Sequence, residues 1–149
     1  MRMFLLIILG LALLFAVVLF VQNKKPSIEL GLEEGRLREI PDKDNAVSTE
    51  TKIENKRIEP LSFKSTLEKT KEAMKKSLSS YGNIKIKEEK RNYIYAVDTT
   101  GKMKFHDDIE IYFDEKNKKI QYRSASRSGY SDMGVNKKRY KEISKVYTN

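Results

Sequence analysis

The chain of 149 residues contains no cysteine and no tryptophan, one histidine and three prolines. Without cysteine there is no disulfide framework, thiolate zinc site, iron–sulfur cluster or cysteine nucleophile. With His106 as the only imidazole, a histidine-rich metal site is excluded too. Glycine is scarce, seven in all, and none is arranged as a P-loop, a dinucleotide fingerprint or a nucleophile elbow. Acidic residues are outnumbered, 21 against 30 lysines and arginines, for a formal charge of +9. The composition therefore implies no metal and no cofactor. What the sequence does have is one long stretch without any charge, Met3 to Val21, and beyond it enough chain for one modest domain and a tether.

As a helix that stretch measures about 28 Å at roughly 1.5 Å per residue, against a hydrocarbon layer of about 30 Å. A cleaved signal peptide has an apolar region of about 7–15 residues that ends in small residues. Here the run is longer and ends Val-Leu-Phe-Val-Gln, which favours an uncleaved transmembrane anchor over residues 1–25 that meets the membrane through residues 3–21. Arg2 and the α-amino group weigh against Lys24 and Lys25, a near balance that slightly favours a cytoplasmic C-terminus. A hydrophobic segment at the very N-terminus more often acts as a signal-anchor that exports the chain beyond it. The expectation is a single-pass membrane protein with its C-terminal domain outside the cytoplasm.

Residues 22–60 carry 8 basic and 9 acidic residues; residues 61–149 carry 21 and 12, so the positive excess lies in the second part. Residues 26–60 show little periodicity and several turn formers, and read as a tether and N-terminal extension. Residues 61–149 read as an α+β domain. Phe63, Leu67, Thr70, Met74 and Leu78 recur at helical spacing, with Ser62 as N-cap and Tyr81-Gly82-Asn83 as the stop. The period then changes to two, through Ile84 and Ile86, Tyr93 to Val97, Phe105 to Phe113, and Ile120 to Ser124. A last helix spans about Val135 to Tyr147, with Val135, Ile143 and Val146 or Tyr147 as its apolar stripe. The expected fold is a two-layer domain, a four-stranded antiparallel sheet with two helices on one face.

Alternation also predicts a register. Pairing Phe113 with Ile120 and Ile111 with Tyr122 keeps the apolar residues on the covered face. It sets Glu110 opposite Arg123, Asp108 opposite Ala125 and His106 opposite Arg127. On the covered face it sets Asp107 opposite Ser126 and Ile109 opposite Ser124.

The segment Arg123-Ser124-Ala125-Ser126-Arg127, leading through Gly129, Ser131 and Asp132 to Val135, is the most unusual local feature. Two guanidiniums, small hydroxyls and the N–H groups of a helix start form a candidate anion or ligand site. The alternative reading is structural: Gly129 and Gly134 for turns, Ser131 or Asp132 as a cap, Ser124 and Ser126 small enough to let a helix approach. Asp107, Asp108 and Glu110 suggest acid–base chemistry or a hard cation. Alternation separates Asp107 from the other two, however, and pairing with Arg123, Arg127 or a backbone N–H accounts for them more simply. Asp107, on the covered face, needs a partner such as Arg139 or Ser126. His106 cannot form a triad with Asp107, because adjacent strand residues face opposite ways. Asn136 and Arg139 lie one turn apart on the last helix, to line a pocket or to tie down the loop before it; Asn45 and Ser48 offer the same from the tether. No residue is singled out as catalytic.

Several of these pieces together resemble a known family. Phe105-His106-Asp107-Asp108-Ile109-Glu110, the Arg123-Ser-Ala-Ser-Arg127 run, Gly129-Tyr-Ser131-Asp132-Met-Gly134-Val135-Asn136 and Arg139 are similar to the pattern of domain of unknown function 1499. Gly31-Leu32 with Gly35-Arg36-Leu37, Asn45-Ala46-Val47-Ser48, and Ile58-Glu59-Pro60-Leu61 with Phe63 resemble its earlier segments, so the likeness runs over roughly residues 31–147 and draws the tether into the folded unit. Ala46 stands where many members have cysteine, and Asp44 where they have proline. The resemblance implies an exported, secreted or membrane-tethered domain; the family has no established biochemical activity.

The function expected is a membrane-tethered, extracytoplasmic binding or structural module of the cell envelope, with anionic lipid headgroups or an envelope component as partners. The first alternative is an envelope hydrolase or transferase using Asp107, Ser124, Ser131, Asp132 and Asn136, and behind it stands a basic nucleic-acid-binding domain on the cytoplasmic side. The basic residues are spread along solvent faces without a nucleic-acid motif, so no nucleic acid is expected.

Overall fold

The computed structural model describes residues 1–101 and 104–149. It begins with the apolar helix α1 (Arg2–Gln22), which buries none of its residues against the rest of the chain. This helix is long and apolar enough to cross a membrane. A small hairpin comes next, β1 (Leu32–Glu33) with β2 (Arg36–Leu37). After it lie β3 (Ala46–Ser48), β4 (Leu61–Ser62) and α2 (Leu67–Ser80). Four strands then run consecutively, β5 (Lys85–Glu89), β6 (Tyr93–Thr100), β7 (Phe105–Asp114) and β8 (Lys119–Ser126), before α3 (Val135–Thr148).

The α+β class holds, but among the described residues the main sheet has six strands rather than four; three α-helices are described, α1 and the two expected in the domain. The order is β3-β8-β7-β6-β5, and β4 also pairs with β8. The free edge of β8 takes Ala46–Ser48 against Arg123–Ala125 and Leu61–Ser62 against Lys119–Ile120. Strands of two or three residues carry no measurable alternation, so periodicity could not reveal them. Because Ser62 is spent on that pairing, α2 starts later than its sequence pattern suggests. Thr66 is its N-cap, accepting from the Lys69 N–H at 3.2 Å. Helix α2 ends at Ser80, where the Tyr81-Gly82 stop was expected.

The proposed register of β7 and β8 is the observed one, from Asp114 opposite Lys119 to Asp107 opposite Ser126. The Arg127 N–H extends it by donating to the His106 carbonyl at 3.0 Å. On one face Ile94, Ala96, Ile109, Ile111, Phe113, Ile120 and Tyr122 meet Met74 and Leu78 of α2 and Tyr140, Ile143 and Tyr147 of α3. The stripe of α3 is Asn136, Arg139, Tyr140, Ile143 and Tyr147, while Val146 is exposed. Two of its five buried positions are polar, which an apolar template overlooks.

The opposite face is not left to water. Residues 23–40 run across it, and Ile40 packs with Ala46 and Ala125 in a second small cluster. The stretch read as a tether thus adds one strand, β3, to the sheet and covers its second face, and β4 follows directly on it.

Candidate functional site

Alternation along β7 and β8 sends the candidate residues to both faces of the sheet. Asp107, Ser124 and Ser126 point to the helix side; Asp108, Arg123 and Arg127 point to the other. The two sets build separate networks.

On the helix side Arg139 is fully buried at the centre. Its Nε donates to Asp98 Oδ2 at 2.8 Å and its Nη2 to Asp107 Oδ2. Its Nη1 donates to Asn136 Oδ1 at 2.7 Å and Ser124 Oγ at 3.2 Å. The Ser124 hydroxyl in turn donates to Asn136 Oδ1. The Asn136 amide donates to Ser126 Oγ and the Asn45 carbonyl, both at 3.0 Å, and to Asp132 Oδ2 at 2.7 Å. Burial opposes the charge of Arg139, yet Tyr122, Asp107 and Asp98 hold its pKa above the ordinary value. Burial likewise pushes the Tyr122 hydroxyl up to about 12.

Asp132 ties this network to the start of α3. It stands two residues before Gly134, and its carboxylate accepts from the Gly134 and Asn136 N–H groups, each at 2.8 Å. Gly129 and Gly134 take the left-handed backbone that such a loop requires, at φ +83° and +80°. Ser131 accepts from the Met133 N–H and reaches no other candidate residue.

On the opposite face the same motif occurs twice, each time a tyrosine of β6, a carboxylate of β7 and an arginine, Arg123 within β8 and Arg127 just past its end. Glu110 accepts from Tyr93 Oη at 2.6 Å and Arg123 Nε at 2.7 Å. It also accepts the Gly31 N–H at 2.6 Å, while Arg123 donates to the carbonyls of Arg38 and Glu29, both at 2.8 Å. Asp108 accepts from Tyr95 Oη at 2.7 Å and Arg127 Nη2 at 2.8 Å. Arg127 also donates to the carbonyls of Asn23 and Lys24, at 3.3 and 3.4 Å. Burial, then the bond to Asp108, raises Tyr95 to about 12; the same kinds of cause, burial and then the bond to Glu110, raise Tyr93 further.

Both arginines offered as anion ligands are thus engaged by carboxylates of the sheet itself. The suggested alternative partners hold: Asp107 pairs with Arg139, Glu110 with Arg123, Asp108 with Arg127. Asp98, Tyr93 and Tyr95 complete the networks and were not singled out from the sequence. For Tyr93 and Tyr95, their alternation in the strand before the aspartate pair is the signal that was available. Among the described residues, no three histidine, aspartate or glutamate side chains converge as metal ligands.

A cleft of about 250 Å³ lies where α1 meets the end of the sheet. Phe15 and Leu19 form one wall and Phe105 and Val135 another, while Asp107, Ser126, Ser131 and Asp132 reach its lining.

A family model described as "Protein of unknown function (DUF1499)" matches residues 36–146. No curated protein matches the chain, and neither does a solved structure.

Proposed function

The chain belongs to the DUF1499 family, and from there we propose that it is a membrane-tethered, extracytoplasmic module of the cell envelope that binds or supports rather than catalyses. One observation carries this reading: apart from the exposed Ser131, the groups that would do chemistry are already engaged by neighbours. The Ser124 hydroxyl faces an amide oxygen and an arginine, not a base. Asp107 and Asp98 share one guanidinium. A nucleophile or general base needs an unengaged, reachable atom of suitable basicity.

The test is topology combined with activity. The chain has no cysteine, so a single one at exposed Ser80 or Asn117 is a clean probe for a membrane-impermeant thiol reagent. Labelling in intact cells is expected. Labelling only after lysis would overturn the extracytoplasmic reading and turn the basic domain toward the inner leaflet.

A second reading, an envelope hydrolase or transferase, draws on the cleft that reaches Asp107, Ser126, Ser131 and Asp132. Turnover of an ester, phosphate or glycoside by the purified chain, lost in Asp107→Asn, would replace the first reading with this one.

A further inference from the structure

The loop between β8 and α3 displays two large side chains to solvent. Tyr130 is 66% and Met133 97% exposed. Met133 is held at φ 54°, a left-handed backbone that residues with a side chain adopt at a cost. The same loop is fastened to α1, because Ser128 Oγ donates to the Leu19 carbonyl at 3.1 Å.

That bond fixes a depth. The 21 residues of α1 span about 31 Å at roughly 1.5 Å per residue, the thickness of a hydrocarbon layer of about 30 Å. Leu19 lies about 4.5 Å inside the end of the helix at Gln22. A loop bonded to its carbonyl stands where acyl chains give way to headgroups. The cleft beside it has Phe15 and Leu19 as a wall, so a bilayer around α1 brings lipid to its mouth.

The loop suits that layer. Part of its polar surface is satisfied within the protein: Asp132 accepts from the Gly134 and Asn136 N–H groups, Ser131 from Met133, and the Gly129 carbonyl from Asn45. At the level of the headgroups, a polar layer, the other polar groups of the loop keep hydrogen-bonding partners. Tyrosine is an amphipathic side chain of headgroup regions. Lys24, Lys25 and Lys104 are exposed at the same end of α1, cations that attract anionic headgroups.

We propose that this rim, Tyr130 and Met133 with the cleft behind them, is a lipid-contact surface that seats in the headgroup layer of the bilayer α1 crosses. The domain is then held flat on the membrane rather than swinging from it. The inference rests on the reading of α1 as a membrane anchor.

The chain contains no tryptophan, so one introduced residue reports its own surroundings. Met133→Trp and, separately, Phe15→Trp would be made in the full chain. Each would be reconstituted in vesicles of phosphatidylcholine and phosphatidylglycerol, with or without acyl-brominated phosphatidylcholine. Expected for both are blue-shifted emission, loss of most of it to the brominated lipid, and protection from aqueous iodide. Quenching of Phe15→Trp by lipid with Met133→Trp quenched by iodide overturns the surface and leaves the anchor standing. Phe15→Trp untouched by brominated lipid removes the anchor, and the inference with it. Met133→Trp shielded from both quenchers puts protein over the rim, not lipid, and also overturns it.

Discussion

Replacing Arg139 with methionine keeps most of the side-chain volume and removes the charge that Asp98 and Asp107 share. It leaves two buried carboxylates facing each other and takes a donor from Ser124 and Asn136. Removing one partner of a buried ion pair costs about 3–5 kcal/mol, a large part of the roughly 5–15 kcal/mol that holds a domain folded. With a denaturant dependence of about 1–3 kcal/mol per molar urea, the midpoint should fall by on the order of 2 M. The assay is urea unfolding of the full chain in detergent, followed by circular dichroism. Adding Asp98→Asn and Asp107→Asn removes the stranded charges and should restore much of the loss. A deficit below about 1 kcal/mol, the worth of an exposed pair, would refute the reasoning. So would a triple variant no more stable than Arg139→Met alone.

Two further perturbations address the opposite face. Tyr95, raised to about 12 by burial and then by Asp108, contributes stability that is complete below about pH 10, where the unfolded chain starts to ionise, and is lost as pH rises through its folded value. Tyr95→Phe should flatten that alkaline fall, read as the unfolding midpoint against pH beside the tyrosinate absorbance; an unchanged slope would show that Tyr95 is not held protonated there. Arg123→Met should release residues 29–38, whose carbonyls Arg123 holds, and limited trypsin digestion should cut at Arg36 or Arg38 while residues 61–149 stay whole. Equal resistance in both proteins would mean the segment is fastened by something other than Arg123.

The register of β7 and β8 was legible because one face is apolar: a one-residue slip would carry Arg123 among the aliphatics. From the register came the Glu110–Arg123 pair and the partition of the candidate residues between two faces. Asp98 as the second partner of Arg139 was not legible, because it depends on where α3 lies across the sheet, which no local pattern encodes. Asp108 with Arg127 is a diagonal pair, reached by a long side chain past Ala125, which stands opposite Asp108. The cover over the second face escaped for another reason. Glu29 and Arg38 are held through their main-chain carbonyls, and a carbonyl contact leaves no signature in residue type.

Buried ion pairs on both faces of one sheet do not maximise stability, since apolar residues of similar volume often do as well or better. They do penalise the wrong arrangement. Shift β8 by one residue against β7, and Glu110 loses Arg123 while a guanidinium enters the aliphatic layer. Rotate α3, and Arg139 leaves two carboxylates without a counter-charge. The same networks fix the segments beyond the sheet: Arg127 holds the carbonyls of Asn23 and Lys24 just past α1, and Asn136 with Asp132 holds the loop that carries Tyr130 and Met133. The candidate ligand-binding residues thus act together as a frame that sets the angle between α1, the rim and the sheet. A fixed angle of that kind is what the proposed seating of the rim on a membrane needs.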